Sequence, residues 1–249
     1  MKKVLFALSV LFTGMTFGQD VTVDEVDDQY LENIGGKEKL EAIEGMKMTA
    51  KVNFNGMDIP LEIYYMKDGR QGTYINFMGM EMYQGMFDGE VLWSTNQMSS
   101  AAEKADAEAT ENMKREAMDQ PDPWLNYKEK GYTAEMVGEE TAEGVDCYKI
   151  KLIKKPTLVD GEEKDNISTY FFDKETMIPI QVSSEVMSGP AAGKTALVVF
   201  SDYTEVEGVY FPFSIEQKME GDEEGQAVIV TEIEMNPTVE EGFFKFPEE

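Results

Sequence analysis

Met46-Lys-Met-Thr-Ala-Lys-Val-Asn-Phe-Asn-Gly-Met-Asp-Ile-Pro-Leu-Glu-Ile-Tyr-Tyr65 decides the fold class of this chain. Met46, Met48, Ala50, Val52 and Phe54 alternate with Lys47, Thr49, Lys51 and Asn53, the period of a half-buried strand. Asn55-Gly56 then signals a two-residue hairpin, because both central residues of a type I′ turn take positive φ. Beyond it Ile59, Leu61, Ile63 and Tyr65 line one face of a returning strand.

The same grammar extends outward. Lys67-Asp-Gly-Arg70 turns the chain again, and strands are expected over 74–78, 80–87 and 90–94. After Trp124 they resume over 133–138, 147–153, 167–172, 178–186, 194–203, 210–219 and 227–235. Glu143-Gly144, Asp160-Gly161, Ser188-Gly-Pro190 and Glu207-Gly208 supply turns between them. No internal repeat and no Pro-, Gly- or Ser-rich linker interrupts the series, so one domain over 19–249 is expected, built as an antiparallel meander. A sheet this large with one apolar face must curl, take helices or enclose a ligand.

Helices are few. Thr22-Val-Asp-Glu25 reads as a capping box, with Val23, Val26, Tyr30 and Ile34 at helical spacing before Gly35-Gly36, and a further short turn over 37–43. Ser100-Ala-Ala-Glu103 reads as a second box opening the longest helix, over 101–118, which Pro121 and Pro123 stop. Ala102, Ala105, Ala109 and Met113 form its apolar face. Such small side chains bury little area, so the helix reads either as a lid or as an ordinary surface helix.

Residues 1–18 begin with two lysines, continue with a short apolar run and end in small residues, the pattern of a cleavable secretory signal. The run is too short to span a bilayer, so no integral membrane segment is expected after cleavage. Export places the protein in a periplasm or outside the cell. Removing residues 1–18 takes the formal net charge from −27 to −29. That charge excludes nucleic acid as a partner and repels anionic lipid.

The chain has no His and one Cys, Cys147. It lacks the commonest general base and metal ligand, any internal disulfide, and every phosphate-loop or nucleophile-elbow motif. No enzyme activity, metal or cofactor is expected. The acidic stretches 160–166 and 221–225 match no calcium-loop spacing and read as solvated hairpin tips. Sixteen of the 18 Met lie beyond residue 18, and Met46, Met48, Met57, Met66, Met78, Met80, Met82 and Met86 crowd the first strands. Met fills gaps in cores and also lines adaptable apolar pockets.

Tyr30-Leu-Glu-Asn-Ile-Gly-Gly-Lys-Glu-Lys-Leu40, Asp146-Cys-Tyr-Lys-Ile-Lys-Leu152, Thr169-Tyr-Phe-Phe-Asp173, Phe200-Ser-Asp-Tyr203 and Phe211-Pro-Phe-Ser-Ile-Glu216 together resemble the LolA-like outer-membrane lipoprotein-sorting proteins of Bacteroidetes. The resemblance implies a mainly β (α+β) fold: a large curved antiparallel sheet forming an unclosed half-barrel around an apolar concave face, covered by a few helices. It implies an acyl lipid or lipoprotein as ligand, with an envelope protein as a further partner. The expected cavity lining is Met46, Met48, Val52, Phe54, Leu61, Ile63, Ile75, Phe77, Phe213 and Ile215. An arginine in the early strands helps control opening in such carriers; Arg70 and Arg115 are the two arginines here, and Arg70 falls in an expected turn. The alternative is a non-carrier envelope protein with the same fold and a filled core.

Overall fold

The computed structural model describes residues 21–247, so the expected signal segment lies outside the described residues. Helices α1 (Val23–Asn33) and α2 (Lys37–Glu41) lead into strands β1 (Gly45–Phe54), β2 (Met57–Met66), β3 (Gln71–Phe77), β4 (Met80–Phe87), β5 (Leu92–Thr95) and β6 (Ala102–Lys104). Helix α3 (Ala107–Glu116) follows, then β7 (Thr133–Ala142), β8 (Val145–Ile153), β9 (Thr157–Val159), β10 (Glu162–Lys164) and β11 (Ile167–Asp173). Strands β12 (Pro179–Glu185), β13 (Thr195–Val206), β14 (Val209–Met219) and β15 (Gln226–Met235) complete the series.

Thirteen strands form one antiparallel sheet in the order β6-β5-β4-β3-β2-β1-β15-β14-β13-β12-β11-β8-β7. β6 and β7 are its two edges, so the sheet is an unclosed half-barrel. The β1–β2 hairpin has the expected register, with Phe54 opposite Met57 and Ala50 opposite Leu61. Asn55 and Gly56 take φ of 51° and 81°, the type I′ geometry that matches strand twist.

The concave face holds the main core. β1 contributes Met46, Met48 and Ala50, and α1 lays Val26, Tyr30 and Leu31 over the sheet, with Ile34 just past its end. The segment between α3 and β7 adds Trp124, Leu125, Tyr127 and Tyr132. Thr22 caps α1 as its sequence predicts, with its side chain and that of Glu25 bonding reciprocally. Gly35 takes φ of +131°, and a Cβ there would sit 2.5 Å from the Gly208 carbonyl oxygen. The α1–α2 turn can therefore press on the β13–β14 hairpin only because residue 35 lacks a side chain.

The convex face carries a second core that periodicity alone did not reveal. Tyr64, Met86 and Trp93 gather there under Phe244, with Phe243 and Phe246 packed against them. The C-terminal stretch after β15 thus folds back over β2 to β5.

The expected helix over 101–118 needs correction. Ser100 and Glu103 do not cap it; residues 102–104 form β6, with Thr95 opposite Ala102 and Trp93 opposite Lys104. An unpaired β5 edge captures this stretch, and Asp106 starts the helix instead, accepting a 2.7 Å bond from the Ala109 N–H. Ala102 is therefore a strand residue against the convex cluster and Ala105 lies before the helix, while Ala109 and Met113 are on α3. α3 has 10 residues and α1 has 11, so α3 is not the longest helix of the described residues.

Candidate functional site

The concave face is unevenly covered. Along β1, Met46 and Met48 are buried, Val52 is half-buried and Phe54 is 55 % exposed. The helices and the 120–132 segment pack the end of the sheet where β1 begins. The apolar face continues bare toward the opposite end, where β1 meets β2.

A cavity of about 230 Å³ lies at the packed end. It exists because the ladder opens. β14 pairs with β15 only from Ser214 to Gln217, while β1 follows β15 as far as the Met46–Met235 pair. The start of β14 leaves the ladder, Pro212 in that stretch carries no N–H, and the Tyr210 N–H bonds instead to the Ile34 carbonyl. Met46 and Met48 line one wall of the gap, Phe211 and Pro212 another, and Tyr30 and Pro121 the cover.

Polar groups at the cavity wall are tied to one another. The Tyr30 hydroxyl donates to Asp122 Oδ2 at 2.6 Å, and the Trp124 backbone N–H donates to Asp122 Oδ1 at 2.8 Å. The Lys130 ammonium donates to the Asp122 carbonyl at 2.7 Å. Burial pushes the Asp122 carboxyl up, with the Tyr30 bond opposing it, and burial pushes the Tyr30 phenol well up. The Tyr203 hydroxyl donates to the Pro179 carbonyl at 2.8 Å. These groups shape a wall that offers apolar surface to an occupant.

Helix α3 straps the concave side. Asn112 exchanges two 2.8 Å hydrogen bonds with the Leu158 backbone of β9. Glu108 accepts from the Asp160 and Gly161 N–H groups at the β9–β10 turn, and Arg115 donates to the Pro156 carbonyl. At its other side, the Gln71 amide of β3 donates to Met113 Sδ. No residue of α3 is fully buried, so it is held by polar contacts between β3 of the large sheet and the separate two-stranded β9–β10 ribbon.

Of the expected lining, Met46, Met48 and Leu61 are in the core, and Val52, Ile63, Ile75 and Phe213 pack partly against it. Phe77 and Ile215 are half-buried, and Phe54 is exposed. Met46 and Met48 alone of that set reach the cavity. Tyr30, Asp122, Tyr203 and Phe211 were missed. Tyr30 was legible as a helix-face aromatic, whereas nothing local announces that Asp122 meets it from 92 residues away. Arg70 pairs with Asp68 at 2.8 Å and sits 5.5 Å from the centre of the Phe244 ring, on the convex side. Cys147 is buried, and burial pushes its thiol up, so it is not poised as a nucleophile. Among the described residues no three His, Cys, Asp or Glu side chains converge as a metal site, and no helix is long and apolar enough to cross a membrane.

No protein-family profile matches the chain, and no curated protein matches it in sequence. Solved structures match it in fold. A DUF1329 family protein from Desulfovibrio piger superimposes with a TM-score of 0.54 at 13 % identity, over 90 % of this chain and 97 % of that one. A LolA superfamily protein from Nitrosomonas europaea gives 0.52 at 11 % identity, over 90 % and 97 %. This is a LolA-like fold. A domain named for outer membrane lipoprotein sorting, from Vibrio parahaemolyticus, gives 0.50 at 11 % identity, over 88 % and 97 %. The chain thus spans nearly the whole length of each of these structures, and at such identities the likeness is one of fold.

Proposed function

We propose that this chain is a single-domain periplasmic carrier that binds an acyl chain or lipoprotein on its concave face, without catalysis. The observation that supports this most is the gradient along β1, from buried Met48 to exposed Phe54, on one continuous apolar face. A face that ran out of core to bury would be a liability in a monomer unless something occupies it. The Lol-type fold and the export signal read at residues 1–18 favour the same reading. The occupant would enter along Phe54, Ile75 and Phe77, and would reach Met48 and Met46 once α3 and the 120–123 segment give way.

A second reading rests on size. At about 230 Å³ the cavity is smaller than the ~300 Å³ at the low end of ligand pockets. A filled core serving an envelope interaction would look like this. The two are separated by purifying the exported protein from its own cell envelope, extracting it with organic solvent and analysing the extract by mass spectrometry against a mock purification. Stoichiometric acyl lipid or acylated peptide supports the carrier. A clean extract, with no binding of a fluorescent fatty acid, selects the filled core.

A further inference from the structure

The hairpins β1–β2, β3–β4 and β5–β6 turn at the same end of the sheet, because every neighbouring pair among these strands is antiparallel. Their tips are residues 54–57 (Phe-Asn-Gly-Met), 77–80 (Phe-Met-Gly-Met) and 95–102 (Thr-Asn-Gln-Met-Ser-Ser-Ala-Ala). None of them contains a charged residue, in a chain where 29 % of residues are charged. They carry Phe54 at 55 % exposure, Met57 at 51 %, Met78 at 84 %, Met80 at 59 % and Met98 at 96 %. Five of the chain's exposed large hydrophobic side chains therefore stand in one row across three adjacent hairpins.

The composition of the row decides what it meets. The tips offer no Arg, Tyr or Trp, the usual anchors of a protein interface. They stand as separate fingers and not as a cleft. Four of the five side chains are unbranched thioethers, which adapt to a surface without fixed shape. The neighbouring β14–β15 loop, Glu220-Gly-Asp-Glu-Glu-Gly225, is acidic and sets a repulsive field against anionic headgroups. Met78 also takes φ of +54°, a conformation that Asn adopts at the matching position of the β1–β2 turn and that suits Met poorly.

We propose that this uncharged Met/Phe rim docks the protein on the neutral, zwitterionic surface of a lipid bilayer. The inference is independent of whether the concave face holds a ligand. The rim inserts its side chains at the headgroup boundary, and the acidic remainder of the surface keeps contact shallow and reversible.

The test is flotation of the chain lacking residues 1–18 with phosphatidylcholine vesicles, beside Met78→Asn, Met98→Ser and the double variant. Met78→Asn places a residue better suited to positive φ, so loss of binding there cannot come from misfolding. We expect the wild type to float with the vesicles, the double variant to partition about tenfold less, and replacement of part of the lipid by phosphatidylglycerol to weaken binding. Wild-type protein that stays with the aqueous fraction overturns the proposal. So does binding that the double variant leaves unchanged, or a self-association lost in the same variants without vesicle binding. Copurified acyl lipid is read in a separate experiment, so either proposal can fail alone.

Discussion

The Trp93 indole N–H donates a 2.9 Å hydrogen bond to the Phe244 carbonyl, across 151 residues of sequence. It fastens the C-terminal stretch to the convex face of β5. Phe244 itself is 2 % exposed and packs edge-on to Tyr64, with ring centres 6.2 Å apart. Phe244→Ala is expected to cost about 3–5 kcal/mol of unfolding free energy, the range for emptying a buried aromatic site. Trp93→Phe should cost at least about 1 kcal/mol, because the carbonyl loses its donor. Urea denaturation followed by circular dichroism measures both. A midpoint unmoved by Phe244→Ala would mean that this segment does not belong to the cooperative core.

Asp27 on α1 is 6 % exposed, and its Oδ1 has no hydrogen-bond partner among the described residues. Burial raises its carboxyl from 3.8 to about 7, with Lys37 opposing and Asp122 adding to the rise. Between pH 4 and pH 7 the folded chain then holds a proton that the unfolded chain has released. Stability from this group is therefore greatest near pH 4 and falls as pH rises to 7, after which the full cost of the buried charge remains. The shift corresponds to as much as about 4 kcal/mol. Asp27→Asn is expected to stabilise the protein at pH 8 and to flatten that part of the profile. Thermal melts of both proteins from pH 4 to pH 8 decide it, and parallel profiles would refute the assignment.

Tyr30→Phe removes the donor to Asp122 Oδ2 while keeping the ring against Phe172, 5.6 Å away. The carboxylate is left partly unpaired, so a loss of about 1–3 kcal/mol is expected at neutral pH. The loss should shrink in acid as Asp122 takes a proton. A penalty equal at pH 4 and pH 8 would show that the bond contributes nothing specific to the charged carboxylate.

Asn112→Ala deletes both bonds between α3 and β9 without emptying any core site. Global stability should change by less than about 1.5 kcal/mol, whereas amide exchange across 107–116 should quicken clearly. Hydrogen exchange with peptide-level mass spectrometry reads this. Equal exchange in variant and wild type would mean that the strap is held elsewhere.

The sheet was legible because its signals are local. Alternation along residues 46–54, the Asn55-Gly56 turn and the later X-Gly pairs each fix a strand or a hairpin within ten residues. The 101–118 stretch misled because its Ala-rich composition and apparent capping box favour a helix locally. The open edge of β5 offers residues 102–104 a ladder that no local pattern records. The cavity was only partly legible for a similar reason. Met46 and Met48 lie on a face that periodicity defines, but Asp122, Tyr203 and Phe211 reach the same space by long-range docking. The convex core was unreadable in advance, since Phe243, Phe244 and Phe246 fall after the last strand and reveal their purpose only against Tyr64 and Trp93.

The two tryptophans, Trp93 and Trp124, belong to different cores on opposite sides of one sheet. The chain thus carries two built-in optical reporters that do not share an environment. With Trp93 replaced by Phe, emission follows events on the concave side, where Trp124 lies against Tyr170 and Phe172. With Trp124 replaced, it follows the C-terminal stretch alone. Whether filling one side is felt on the other becomes a question that a fluorimeter can answer without any added label.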